Sequence, residues 1–411
     1  MRVPRLVLAG VLAAALAAPA AAQPVPPPTP VPPAGSLSPY PTALETPPPS
    51  TREPRVAAAS AILADLDSGE VLWERNPDQR QPIASVTKIM TGLLVVEATD
   101  PDEVVTASPN AARQTGAELG LEVGEAQPVR QLLMALLLQS ANDAAVALAE
   151  HVGGTVEGFV DGMNRRARRL GVRDTRFASP NGLDDSGYST SRDLVAITAE
   201  AFRDATFREV VATKFHRIPS PDGDPRRIQN RNALLWLYRG AIGVKTGYTA
   251  AAGFCIVAAA ERDGLRLVAV VLGAPSSPWS DAAEILNHGF EAWERRDVVD
   301  GSTALDPIEV AGLEIPVRAD GALSLLLRRG ETVDVEVRPD PGLTLPVAEG
   351  QTVGEVVVSG DGDVLGRVRA VSAASVAAPA RGSPPEDPWW DRAWDAVAGF
   401  FARLWRAVFG D

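Results

Sequence analysis

The chain has 411 residues, more than one ordinary domain holds. At 45% hydrophobic and 22% charged it can bury a sizeable core. Its formal net charge is −13, which argues against nucleic-acid binding. One cysteine, Cys255, excludes an internal disulfide framework and a thiolate metal cluster. His151, His216 and His288 show no close metal-ligand spacing, so neither a metal nor a cofactor is expected.

Residues 1–22 read as a secretory signal peptide. Arg2 and Arg5 precede an apolar run from Leu6 to Ala18, and Ala20-Ala21-Ala22 offers small residues for cleavage before Gln23. The run is shorter than the ~20 residues a membrane span needs. Residues 23–54 are proline-rich and form a spacer.

The domain at 55–297 opens with strands at 61–67 and 70–74 around a Ser68-Gly69 turn. Ile89, Leu93 and Val96 recur at helical spacing and predict a helix over 85–97. Further helices are predicted at 129–138, 143–151 and 156–170, the last stopped by Gly171. Another spans 193–202 behind a Thr190 or Ser191 cap. Two apolar strands, 253–260 and 265–274, meet at Arg262-Asp263-Gly264, and a helix over 281–296 closes the region. Strands at both ends with helices between predict an α+β arrangement in which helices cover a sheet.

Residues 298–373 lack a helical period. Val333, Val335 and Val337 alternate with charged residues as in a half-buried strand, and 355–371 reads as a hairpin, so a small all-β domain is expected. Residues 374–387 are a linker. In 388–411, Trp390, Trp394, Val397, Phe401, Leu404 and Val408 share one face of an amphipathic helix whose other face is charged. Such a helix suits a membrane interface and cannot span, since charges interrupt it.

Three short motifs follow in order: Ser85-Val86-Thr87-Lys88, Ser140-Ala141-Asn142 and Lys245-Thr246-Gly247. Ser85 and Lys88, three apart on a helix, share a face. A serine hydroxyl needs a base, and Lys88 can supply it if burial and a second cation, Lys245, hold its amine neutral. Ser140 can relay a proton to a leaving nitrogen, and Asn142 can bond a substrate amide or Lys88. Alternatively, either residue could cap the following helix. Lys245-Thr246-Gly247 falls on an expected edge strand, where Lys245 and Thr246 can bind a carboxylate and Gly247 admits a close backbone. The N–H groups of Ser85 and Tyr248 are candidate oxyanion donors. Cys255 is expected to be packed rather than reactive, and Asp143 to be a first-turn acid.

Residues 55–297 resemble the D-alanyl-D-alanine carboxypeptidases, the low-molecular-mass penicillin-binding proteins. The trio carries the resemblance, with Leu138-Gln139-Ser140-Ala141-Asn142-Asp143-Ala144, Met163-Asn164, Leu170-Gly171, Asn181-Gly182-Leu183-Asp184 and Ala252-Gly253-Phe254. It implies a β-lactamase/transpeptidase-like fold followed by a small all-β domain and an amphipathic tail. It implies a Ser85 acyl-enzyme, Lys88 as proton acceptor, Ser140 as second serine and Lys245 in substrate binding. Arg231 resembles an arginine that some members place near the substrate carboxylate, with a structural ion pair as the alternative. The expected partners are peptidoglycan stem peptides, β-lactams and a membrane surface, outside the cytoplasm. A D,D-endopeptidase, a β-lactamase and an inactive wall-binding scaffold remain alternatives. One departure stands out: the loop Ala274–Trp279 lacks the arginine that members often carry there.

Overall fold

A computed structural model describes residues 53–378 and 389–409. The expected signal peptide, almost all of the spacer and most of the linker lie outside the described residues. The chain divides into two compact units, Met1–Glu294 and Arg295–Asp411.

The first unit opens with strands β1 (Ser60–Asp65) and β2 (Val71–Arg75), a 3-10 turn at Ala84–Thr87, and helix α1 (Lys88–Ala98). Next come β3 (Val104–Thr106), α2 (Pro109–Ala112), β4 (Ala126–Pro128) and α3 (Val129–Met134), which runs into a π-helical stretch, Ala135–Gln139. Helices α4 (Asn142–Gly153), α5 (Val156–Arg169), α6 (Ser191–Ala201) and α7 (Ala205–Ala212) follow. The short hairpin β5 (Phe215–Ile218) and β6 (Arg226–Gln229) and the turn α8 (Leu234–Leu237) lead to β7 (Ala241–Thr249), β8 (Gly253–Arg262), β9 (Leu265–Ala274) and α9 (Trp279–Ala292).

Five of these strands form one antiparallel sheet in the order β2-β1-β9-β8-β7, which leaves β7 at an edge. Both faces of its centre are covered. Ile62, Ala64, Val268, Val270 and Leu272 belong to the core shared with α1 and α4. Leu63 and Leu267 lie against Gly289 of α9, where a Cβ would come within 2.5 Å of Leu267. Two buried faces explain why β8 and β9 are apolar at nearly every position instead of alternating. The β8–β9 hairpin turns on Asp263 (φ 50°) and Gly264 (φ 76°), the positive pair a two-residue type I′ turn demands.

The helix expected over 281–296 ends at Ala292. Trp293 is already extended, and the chain continues as β10 (Trp293–Val299). The second unit adds β11 (Ile308–Val310), β12 (Leu313–Ile315), β13 (Val317–Ala319), β14 (Leu323–Arg328), β15 (Asp334–Pro339), β16 (Thr352–Gly360) and β17 (Asp363–Ser372). Its main sheet runs β13-β17-β16-β15 over a core of Ile315, Val353, Val356, Val358 and Ala370. Val333 and Val337 pack partly on that core, but Val335 is exposed, because β15 is an edge strand with one neighbour. Helix α10 (Trp389–Phe409) ends the described chain.

Candidate active site

The Ser85 hydroxyl and the Lys88 amine face each other across 2.9 Å. The expected helix begins with the Ala84–Thr87 3-10 turn instead, so Ser85 sits just ahead of α1 while Lys88 is its first residue. Lys88 is fully buried, yet among the described residues no carboxylate touches it. Its Nζ lies 3.0 Å from Asn142 Oδ1 and 2.6 Å from the Asn181 carbonyl. A neutral amine has two N–H donors and one lone pair. In that form the Asn142 and Asn181 oxygens would take both donors and leave the lone pair to face Ser85 Oγ. Burial first, then the charges of Lys245 and Arg231, hold this amine well below its ordinary value, against a smaller opposing pull from Asp143.

Asn142 and Ser140 stand where the π-helical stretch meets α4. Ser140 adopts a left-handed conformation (φ 68°), which breaks the predicted 129–138 helix from its successor. Ala141, not Ser140 or Asn142, is the N-cap of α4, and no side chain caps it, so the capping alternative falls away. Instead Asn142 donates from Nδ2 to the Thr115 carbonyl at 2.8 Å, and its backbone N–H reaches the Ala117 carbonyl at 2.6 Å. Asp143 does lie in the first turn, but its carboxylate does more than offset a helix dipole. It accepts from the backbone N–H groups of Leu119, Gly120, Leu121 and Ala144 at 2.8–3.0 Å. Loop 115–121 is thus fastened to the second motif at both ends.

The third motif lies on edge strand β7. Gly247 is required there: a Cβ would stand 3.0 Å from the backbone nitrogens of Ser85 and Val86. Lys245 is 1% exposed and donates to the Thr246 carbonyl at 2.8 Å. Burial, then Arg231, lower its amine to about 7. Thr246 is half-buried, and Tyr248 is exposed with its ring against Phe254. Arg231 makes no ion pair among the described residues, contrary to the structural alternative, and its charge is felt at both lysines. Lys245 and Arg231 thus bring positive charge to a cleft in which no carboxylate of the described residues contacts either lysine, an arrangement that attracts an anionic end group.

Asn181-Gly182, in the sequence only part of the family resemblance, supplies a further partner of Lys88. The Asn181 carbonyl accepts a hydrogen bond from Lys88 Nζ. Gly182 (φ 78°) lets that segment press on the Ser85 turn, since a Cβ would fall 1.9 Å from the Ala84 carbonyl oxygen. A backbone acceptor leaves no side-chain signature; the glycine was the available clue. Cys255 is buried, and burial pushes its thiol up to about 11, as a packed residue requires. Among the described residues no cluster could hold a metal ion.

A family model described as D-alanyl-D-alanine carboxypeptidase matches residues 48–276. The D-alanyl-D-alanine carboxypeptidase DacF of Bacillus subtilis is 32% identical over 322 residues, 75% of this chain and 83% of that protein. DacB2 of Mycobacterium tuberculosis is 38% identical over 242 residues, 57% of this chain and 82% of its own. Among solved structures, penicillin binding protein 5 from Haemophilus influenzae is 29% identical, covers 80% of this chain and 99% of that chain, and superposes with a TM-score of 0.61. A mutant of the Streptomyces K15 DD-transpeptidase is 36% identical over 58% of this chain and 99% of its own, with a TM-score of 0.56. The fold, the three motifs and these matches agree: the chain belongs to the D-alanyl-D-alanine carboxypeptidase family, the S11 serine peptidases.

Proposed function

We propose that this chain removes the terminal D-alanine of peptidoglycan stem pentapeptides through a Ser85 acyl-enzyme, and that β-lactams acylate the same serine. The observation that carries the reading is the Lys88 amine, buried, stripped of acidic partners and 2.9 Å from Ser85 Oγ. In the first step Ser85 Oγ passes its proton to Lys88 Nζ and attacks the carbonyl of the penultimate D-alanine. The N–H groups of Ser85 and Tyr248 receive the developing oxyanion. Asn142 and the free edge of β7 align the substrate backbone as an added strand. Lys245, Thr246 and Arg231 bind the terminal carboxylate. A bound anion draws Lys245, poised near neutrality, into its charged form. The Ser140 hydroxyl, which makes no hydrogen bond to a described residue, relays the proton from Lys88 to the leaving D-alanine nitrogen. Water then cleaves the ester, with Lys88 again taking the proton.

The same reading places the catalytic domain at 55–297 and the small β-rich domain at 298–373. It makes 1–22 an export signal that delivers the enzyme beyond the cytoplasm, and 388–411 a helix lying on the membrane. No described helix is long and apolar enough to cross a membrane, and Trp394, Val397, Phe400 and Trp405 of α10 are exposed, as a surface-lying helix requires.

Mass spectrometry after penicillin treatment tests the assignment. One adduct on the peptide containing Ser85 is expected. Ser85→Ala should melt like the wild type, form no adduct and release no D-alanine from diacetyl-Lys-D-Ala-D-Ala. Retained turnover would end the nucleophile assignment.

A further inference from the structure

We propose that a groove at the C-terminal end of α5 binds a phosphate-bearing anion. Residues 161–176 carry six arginines against two acids, in a chain whose formal charge is −13. Three of those arginines, Arg168, Arg173 and Arg176, line one groove of about 690 Å³, the volume of a small-molecule site. None of the three makes a side-chain hydrogen bond or an ion pair within 4 Å among the described residues; Arg176 only exerts a through-space pull on Asp184.

Two of the neighbouring charges are taken up elsewhere. Arg166 is held by Glu97 and Glu200, and Asp174 by Arg80. The other polar side chains of the lining are also committed. Asn164 bonds the backbone of Val160 and Phe177, and the Thr175 hydroxyl bonds Asp193 and Ser189. Asp161 is the single carboxylate of the groove. The helix dipole explains a cation at Arg168, in the last turn of α5, but not Arg173 and Arg176, which lie beyond the helix.

Three guanidinium forks around one concavity exceed what a single carboxylate can accept. A phosphate or pyrophosphate group, with more oxygens and more charge, matches them. The concave form favours one phosphate-bearing unit, free or within a chain, over the flat face of a bilayer.

Titration calorimetry of the full chain with pyrophosphate at low ionic strength tests this. The triple variant Arg168→Gln/Arg173→Gln/Arg176→Gln is compared with Arg318→Gln/Arg338→Gln/Arg369→Gln, which removes as many charges from exposed positions of the second unit. We expect one site on the wild type, at least tenfold weaker in the first variant and unchanged in the second, with penicillin acylation alike in all three. No binding to the wild type, or equal weakening by both variants, would overturn the proposal. So would binding to vesicles of anionic lipid without binding to pyrophosphate, which would make the patch a membrane contact.

Discussion

On the proposed mechanism, Lys88 serves as a base because of what it lacks. A buried lysine opposite a carboxylate would stay charged; here its partners are an amide oxygen, a backbone carbonyl and the Ser85 hydroxyl, and the charges that act on it most are cations. Arg231 is part of that balance. Arg231→Gln should raise the amines of both Lys88 and Lys245 toward their ordinary values. Less neutral Lys88 is then present on the acid side, so the acid limb of the pH–rate profile for penicillin acylation should move to higher pH. The KM for a carboxylate-terminated peptide should rise about tenfold, the loss of ~1.4 kcal/mol. An unmoved acid limb would remove Arg231 from the electrostatics of the base. At this scale Ser85, Lys88, Asn142 and Lys245 were legible, since side-chain chemistry at fixed spacing leaves a mark. Asn181 was not, because any residue type offers a carbonyl.

Elements bring these residues together through backbone irregularities. A 3-10 turn presents Ser85, a π-helical stretch ends in left-handed Ser140, and loop 115–121 grips Asn142 through two carbonyls while Asp143 gathers its N–H groups. Asp143→Ala leaves several buried donors unsatisfied, each worth ~1–3 kcal/mol. With partial relaxation we expect a loss of roughly 2–4 kcal/mol in urea denaturation and acylation at least tenfold slower. Full-rate acylation in a destabilised variant would show that the loop serves only stability. Periodicity located the regular helices and the β8–β9 hairpin closely. It could not show where 129–138 changes its winding, or that Trp293 turns extended, because those outcomes depend on tertiary packing rather than local pattern.

On the scale of the whole chain, the proposed function asks an acidic protein to handle an anionic substrate and to reach a membrane. Net charge repels a peptide carboxylate at long range, so capture falls to the local cations of the cleft. The tail supplies proximity on the proposed reading. Deleting 388–411 should leave penicillin acylation intact and abolish co-sedimentation with vesicles; unchanged sedimentation would transfer the anchoring to another part of the chain. The amphipathic pattern of α10 was plain in the sequence, whereas Val335 was expected half-buried because pattern alone does not say which strand lacks a second neighbour.

The open side of β7 carries one more consequence. A strand edge with no second neighbour that can take a guest backbone can also take a second copy of itself, and two molecules paired along it would each plug the other's cleft. On the proposed reading, self-association by that route and turnover exclude each other, and a net charge of −13 works against the self-pairing.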